Sequence, residues 1–270
     1  ISQLLTKINL NIYDSVIIQG DTATTFAIAI VAFNLKKKII YVESGLRSFD
    51  FFNPFPEEGY RQMVSRISNI NFAPTKLSKR NLENEDVKGK IIVTGNTGLD
   101  NLITLKKKSY YSNIVLITIH RRENISILSE WFNVINEIAK SHKDVDFIFP
   151  IHANPEILKF KKILKNVKVV NHLSHEKLIS YLVKSKLVIT DSGGIQEEAA
   201  YLNKKVIVCR KTTERPEGIK SGHLFLCNKP NNLKKMTSRL IKDYKVKNEC
   251  PYGDGKSSKR IVHYLKKNKF

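Results

Sequence analysis

Lys186-Leu187-Val188-Ile189-Thr190-Asp191-Ser192-Gly193-Gly194-Ile195-Gln196-Glu197-Glu198-Ala199-Ala200 carries both a change of backbone and a change of chemistry. Leu187 to Thr190 is apolar and rich in β-branched residues, as a strand buried in a parallel sheet must be. The run stops at Asp191-Ser192-Gly193-Gly194, and helix-forming residues follow at once. Where a strand turns straight into a helix, unpaired backbone N–H groups and the positive end of the helix dipole converge on one spot, which suits an anion. Gly193 and Gly194 lack a Cβ, so a phosphate can approach the backbone closely. Glu198, about one turn into the helix, can reach back over the same spot and accept hydrogen bonds from a sugar diol. A plain tight strand-to-helix connection reads the same way in isolation, so the rest of the chain has to decide.

Outward from this stretch the pattern is strand, loop, helix, repeated. Towards the N-terminus, strands are expected at Ser15 to Gln19, Lys38 to Glu43, Asn69 to Ala73 and Ile91 to Thr94, then at Val115 to Ile119, Asp146 to Ile151 and Val167 to Val170. Helices are expected over Thr22 to Leu35, Glu57 to Ile67, Thr75 to Glu85, through Trp131 to His142, and Glu176 to Lys184. Strands at Lys205 to Cys209 and His223 to Cys227 and helices at Asn231 to Tyr244 and Ser257 to Lys267 follow. Such alternation implies right-handed crossovers and parallel sheets, an α/β fold. The polar run Lys106 to Asn113 reads as a link. It divides the chain into 1–108 and 109–270, two Rossmann-like domains, with the last helix in a position to pack back on the first.

Most of the unusual polar motifs fall where a strand ends, the place where ligands collect in this architecture. Asp21 and Glu43 both follow strands, and their carboxylates line one edge if those strands are neighbours. The long segment Ser44 to Glu58, with two prolines and four phenylalanines, has neither helical nor strand period. A loop of this length is functional or disordered, and its aromatic content argues against disorder. Pro56 followed by Glu57-Glu58 marks a helix start. On spacing alone, Glu57 is equally a carboxylate that offsets the helix dipole.

The composition narrows the classes. Of the 270 residues, 41% are hydrophobic and 26% charged, which is ordinary for a globular protein, and no run approaches the roughly 18 apolar residues of a membrane span. No membrane insertion is expected, and no signal peptide is seen at the start. Three widely spaced cysteines, Cys209, Cys227 and Cys250, have no metal-ligand spacing and fit reduced thiols in a cytoplasmic protein. The formal charge of +21 is spread over runs such as Lys36 to Lys38 and Lys106 to Lys108 instead of forming one basic helix or an aromatic-studded sheet, so no nucleic-acid role is read from it.

Eight segments taken together resemble a known family. They are Gln19-Gly20-Asp21-Thr22, Val42 to Arg47, Pro56-Glu57-Glu58, Thr94 to Thr97, His120-Arg121-Arg122-Glu123-Asn124, Thr190 to Ala199, Thr212 to Glu217 and Pro251 to Gly255. In this order they are similar to the motif series of the non-hydrolysing UDP-N-acetylglucosamine 2-epimerases, over essentially the whole chain. The resemblance implies a fold like that of B-type glycosyltransferases, two Rossmann-like domains facing a cleft that holds the substrate. It implies an isomerase that interconverts UDP-GlcNAc and UDP-ManNAc with no metal and no nicotinamide, commonly as a homodimer. By the same resemblance Asp21, Glu43, Glu57 and His120 stand at catalytic positions. Ser192, Gly193, Gly194 and Arg215 would hold the diphosphate and Glu198 the ribose, with Arg121 and His152 also at the substrate. A strand-end histidine beside Pro155 reads equally as structural, so His152 keeps both readings.

Two departures from the family pattern stand out. Its first strand and a Gly-Thr-Arg-Pro-Glu phosphate loop are expected before Ile1, about one quarter of a complete enzyme, and Ile1 to Ile8 already reads like the middle of an amphipathic helix. Where the family places an aromatic against the uracil, this chain has Leu178, with Tyr181 nearly one turn later. Competing readings are a hydrolysing relative that releases ManNAc and UDP, an epimerase for a modified sugar, a B-type glycosyltransferase, a nucleic-acid-binding protein and a decayed enzyme.

Overall fold

A computed structural model describes residues 9–106 and 108–268; the helical reading of Ile1 to Ile8 lies outside the described residues. The chain forms two compact units. One takes the residues up to Asp100 together with those from Tyr252 on, and the other is Asn101–Pro251. The chain leaves the first unit at Asp100 and returns to it for its last helix.

In the first unit, β1 (Ser15–Gln19), β2 (Lys38–Val42), β3 (Ile70–Ala73) and β4 (Lys90–Val93) form a parallel sheet in sequence order. Between them run α1 (Ala23–Asn34), α2 (Glu57–Ile67) and α3 (Lys76–Asn84). Thr22 starts α1 by accepting a hydrogen bond from the Thr25 amide at 3.2 Å, one of the otherwise orphaned donors of a first turn. Side chains alternate across the sheet. Ile39 and Tyr41 pack with Ala29, Val31 and Ala32 of α1 and Val64 of α2. On the opposite face Ile40, Val42, Ile70 and Phe72 pack against Ile261 of the C-terminal helix α8 (Ser257–Lys267), with Tyr264 and Leu265 beside it. Each such side chain contributes about 1.5–3 kcal/mol on burial. Asp100 fixes the start of α8, accepting from the amides of Ser257 and Ser258 at 2.9 and 2.6 Å.

The second unit holds a six-stranded parallel sheet: β5 (Ile114–Thr118), β6 (Asp146–Pro150), β7 (Lys168–Val170), β8 (Leu187–Thr190), β9 (Lys205–Val208) and β10 (Leu224–Leu226). Their order is β10-β9-β8-β5-β6-β7. The chain builds outward from β5 to β7, then crosses back to β8 beside β5 and builds the other way. That reversal is the topological switch point, where the loops leaving two neighbouring strands part and open a crevice. Helices α4 (Leu128–Ser141), α5 (His175–Lys184), α6 (Gly193–Tyr201) and α7 (Pro230–Lys242) cover the sheet. Trp131, Phe132, Ile135 and Ile138 of α4 join Leu233 and Leu240 of α7 on Val115, Ile117, Phe147 and Ile189. Among the described residues no helix is long and apolar enough to cross a membrane.

Candidate active site

At the switch point the loop after β5 and the turn after β8 are tied together by one side chain. Asp191 is fully buried, and its carboxylate accepts from the amides of His120 (3.0 Å) and Arg121 (2.8 Å) and from the Asn124 side-chain amide (2.9 Å). Just before them, at the ends of β5 and β8, the hydroxyls of Thr118 and Thr190 meet at 2.6 Å. The His120 loop is thus fixed by a residue about seventy positions later. His120 Nδ1 lies 3.7 Å from the same carboxylate. Burial lowers the His120 pKa below its ordinary value, and the Asp191 charge opposes that shift without cancelling it.

The His120 ring stacks on His152 with centroids 5.5 Å apart, and His152 meets His172 edge-on at 5.9 Å. The Asn154 amide donates to His152 Nδ1 at 3.1 Å, which assigns the proton of neutral His152 to Nε2. These three imidazoles, with Leu173, Leu178 and Ser192, line a cavity of about 160 Å³. Leu178, the residue that stands where an aromatic was expected, is part of its wall.

The glycine turn opens α6 without a side-chain cap on its first amides. Gly193 has a packing reason to be glycine: a Cβ there would lie 2.8 Å from Arg215 Nη1. Arg215 is held at that place by Glu197 at 2.6 Å and Glu214 at 3.4 Å. Glu214 also pairs with Arg210 at 2.9 Å, and Arg210 with Glu123 at 2.7 Å. A ladder of alternating charge therefore runs from α6 to the His120 loop. Gly194 differs, since a Cβ there would meet nothing within 4 Å. Gly194→Ala is expected to leave the melting temperature unchanged or slightly raised, because alanine suits a helix better. If phosphate needs that space, UDP titration should read about tenfold or more weaker binding. Glu198, on the same helix, accepts a 2.9 Å contact from His175 Nε2, and burial raises its pKa.

The first unit gathers carboxylates at the end of its sheet. β1 and β2 are neighbours with Gln19 opposite Val42, so Asp21 and Glu43 follow paired strand ends. Asp21 is bound by Arg61 at 2.7 Å. Glu43 accepts from Gln19 at 3.3 Å and from Asn96 at 3.5 Å, with its backbone in the left-handed region at φ 66°. Glu57 opens α2, one turn before Arg61, and its Oε2 is buried without a hydrogen-bond partner. Tyr41 donates its hydroxyl to the Gly20 carbonyl at 2.9 Å, and burial, with the Asp21 charge next, raises its pKa far enough to keep it a donor.

The structure separates the two adjacent glutamates, which spacing could not. Glu58 is fully buried and accepts from Arg61 (2.7 Å), Gln62 (2.9 Å) and the amides of Ser48 (3.0 Å) and Phe49 (3.3 Å). It anchors the long loop and the arginine that holds Asp21. Arg47, quoted in one of the motifs, is also structural, its guanidinium paired with Glu85 at 2.7 Å and bonded to Ser65. Sequence reasoning missed Asp191, Asn124, Glu58, Arg61 and Asn96 as site-building residues. The one available signal was Glu58 three residues before Arg61, a helical ion-pair spacing.

In the first unit Asp21 and Glu43 follow paired strand ends, and Glu57 stands one turn before the arginine that binds Asp21. In the second, His120, His152 and Ser192 line one cavity, Gly193 lies against Arg215, Gly194 and Glu198 share its helix, and Arg121 shares the His120 loop. Two parallel-sheet units, one with a glycine turn at its switch point and one with acids at its strand ends, make an α/β protein, and the solved structures similar to it have the B-type glycosyltransferase-like fold. The profile of the UDP-N-acetylglucosamine 2-epimerase family matches residues 1–266. The chain belongs to that family. It is 38% identical to the UDP-N-acetylglucosamine 2-epimerase of Salmonella borreze over 93% of its own length and 74% of the relative's. Among solved structures, the Neisseria meningitidis UDP-GlcNAc 2-epimerase bound to UDP-GlcNAc superposes with a TM-score of 0.88 at 36% identity, covering 99% of this chain and 80% of that one. The S. aureus MnaA–UDP structure superposes at 0.89 with 35% identity, covering 99% and 79%.

Proposed function

We propose that the protein interconverts UDP-GlcNAc and UDP-ManNAc by eliminating and re-adding UDP. The observation that carries this reading is the acid cluster of the first unit, above all the buried, unpartnered oxygen of Glu57. An unpaired carboxylate oxygen in such a place costs stability and is accounted for by a proton it must take or give. A glycosyltransferase has no need of the Asp21, Glu43 and Glu57 trio.

The reaction divides between the units. The second takes the nucleotide: the α6 turn and Arg215 hold the diphosphate, Glu198 the ribose, and the cavity under Leu178 the uracil. His120, neutral in the free protein, donates to the departing phosphate oxygen, and Arg121 adds charge beside it. In the first unit a carboxylate removes the C2 proton as the C1–O bond breaks. The C–H electrons become the C1=C2 bond of 2-acetamidoglucal, and the C–O pair leaves on UDP. A second carboxyl returns a proton to the other face of C2 while the UDP oxygen rejoins C1. Asp21, Glu43 and Glu57 share this work. The same reading places the enzyme in the cytoplasm, as a homodimer, in the supply of ManNAc-type sugar for surface polysaccharide; light scattering on the full chain tests the dimer.

The deciding experiment is incubation with UDP-GlcNAc in D₂O. UDP-ManNAc carrying deuterium at C2 is the expected product. Free ManNAc with UDP would assign the hydrolysing reaction instead, and no reaction without an added acceptor would favour a transferase.

A pH effect follows from His120. A bound diphosphate favours the protonated ring, so UDP binding should take up a proton and affinity should fall as pH rises through the histidine range. Calorimetry in two buffers of different ionisation enthalpy measures the uptake, which His120→Asn should remove.

A further inference from the structure

Away from these residues, the outer edge of the first unit carries a groove of about 510 Å³ between β4 and α8. Its α8 wall presents Lys256, Lys259, Arg260, His263 and Lys267. Positions 256, 260, 263 and 267 recur at helical spacing, so they form one stripe along the helix, opposite the Ile261 and Leu265 face that packs on the sheet. Arg260 is paired with Asp254 at 2.7 Å, but the three lysines have no acidic partner among the described residues. No Asp or Glu follows Asp254 in the sequence.

The other wall is an open strand. Among the described residues β4 ends its sheet. The amides of Lys90 and Thr94 point inward, donating to Asn69 and Ala73 carbonyls at 2.9 and 3.0 Å. With a period of two, the N–H and C=O groups of Ile91 and Val93 face outward, towards whatever lies along the edge. Ile92 and Val93 line the groove itself.

We propose that this groove binds an extended acidic polypeptide segment, which adds to β4 as a fifth strand while its carboxylates meet the α8 lysines. Unpaired edge groups supply main-chain hydrogen bonds, and the cationic stripe selects the side chains. A lysine on an edge strand is a common guard against unwanted pairing. Lys256, Lys259 and Lys267 are instead on a helix across the groove, where they leave the edge open and make it selective for negative charge.

The test is fluorescence anisotropy of the full chain with a fluorescein-labelled peptide of alternating glutamate and valine. Saturable binding is expected, weakened about tenfold or more both by the triple change Lys256→Glu, Lys259→Glu, Lys267→Glu and by Val93→Pro, which removes one outward N–H. Hydrogen exchange at Ile91 and Val93 should slow on peptide addition, and epimerase activity should be unchanged in both variants. Absence of saturable binding overturns the proposal. So does equal binding of a proline-interrupted peptide or single-stranded DNA with no effect of Val93→Pro, because the groove would then be a charged surface without strand addition.

Discussion

Glu57→Gln is expected to lower solvent-deuterium incorporation at C2 of UDP-GlcNAc by about 10²–10⁴-fold, the usual worth of a positioned acid or base. The substitution keeps the shape of the side chain and removes only its ability to exchange a proton. Because Oε2 has no hydrogen-bond partner in the folded protein, the change breaks no bond there. The melting temperature should therefore hold or rise, since the buried charge is removed. The alternative reading of Glu57, a carboxylate that only offsets the α2 dipole, makes the opposite forecast: a stability loss of about 0.3–1 kcal/mol and normal exchange. Near-normal exchange in Glu57→Gln and in Glu43→Gln would refute the assignment of the acid cluster. Product analysis in the same samples shows whether any residual turnover still passes through elimination.

Arg61→Met should have the largest effect on stability, about 3–5 kcal/mol, because it strands Glu58 as an uncompensated buried charge. Arg61 joins two carboxylates of different kinds, the fully buried Glu58 and the partly exposed Asp21. Denaturant unfolding reads the first loss. The second, a free Asp21, reads as a fall in turnover beyond what unfolding explains. Arg61→Lys keeps the charge but not the fork that spans both partners, so it should recover part of the stability and less of the activity. The pH dependence has a definite sign. Burial alone would raise the Glu58 pKa, but the hydrogen bonds from Gln62 and Ser48 and the bonds and charge of Arg61 outweigh it and lower the value. A carboxyl with a depressed folded pKa contributes stability that is present above its ordinary pKa and lost as pH falls through the folded one. The gap between the native protein and Arg61→Met should accordingly be widest near neutrality and close in acid.

The strands and the glycine turn were legible because their information is local. Strand ends agree with the pattern to within a residue or two, and Ser15–Gln19, Leu187–Thr190 and Ser257–Lys267 match it throughout. Sheet order was not legible. Nothing in Val115 to Ile119 says that β8 lies beside β5, yet that adjacency places the His120 loop against Asp191. Asp191 itself was visible only as the end of a strand, since its partners lie seventy residues earlier. The aromatic content of the long loop after β2 argued against disorder. Phe49, Phe51, Phe52 and Phe55 are in fact exposed, and the loop is tied down by Glu58 through the Ser48 and Phe49 amides. Composition indicated order, and a buried carboxylate elsewhere provides it.

The left-handed backbone at Glu43 bears on how this protein would drift under selection. A residue with a Cβ pays roughly 1–2 kcal/mol to sit there, whereas asparagine tolerates the conformation and glycine is indifferent to it. Directed evolution for heat resistance alone would thus be free to discard this glutamate, and only a screen that also scores turnover would hold it in place.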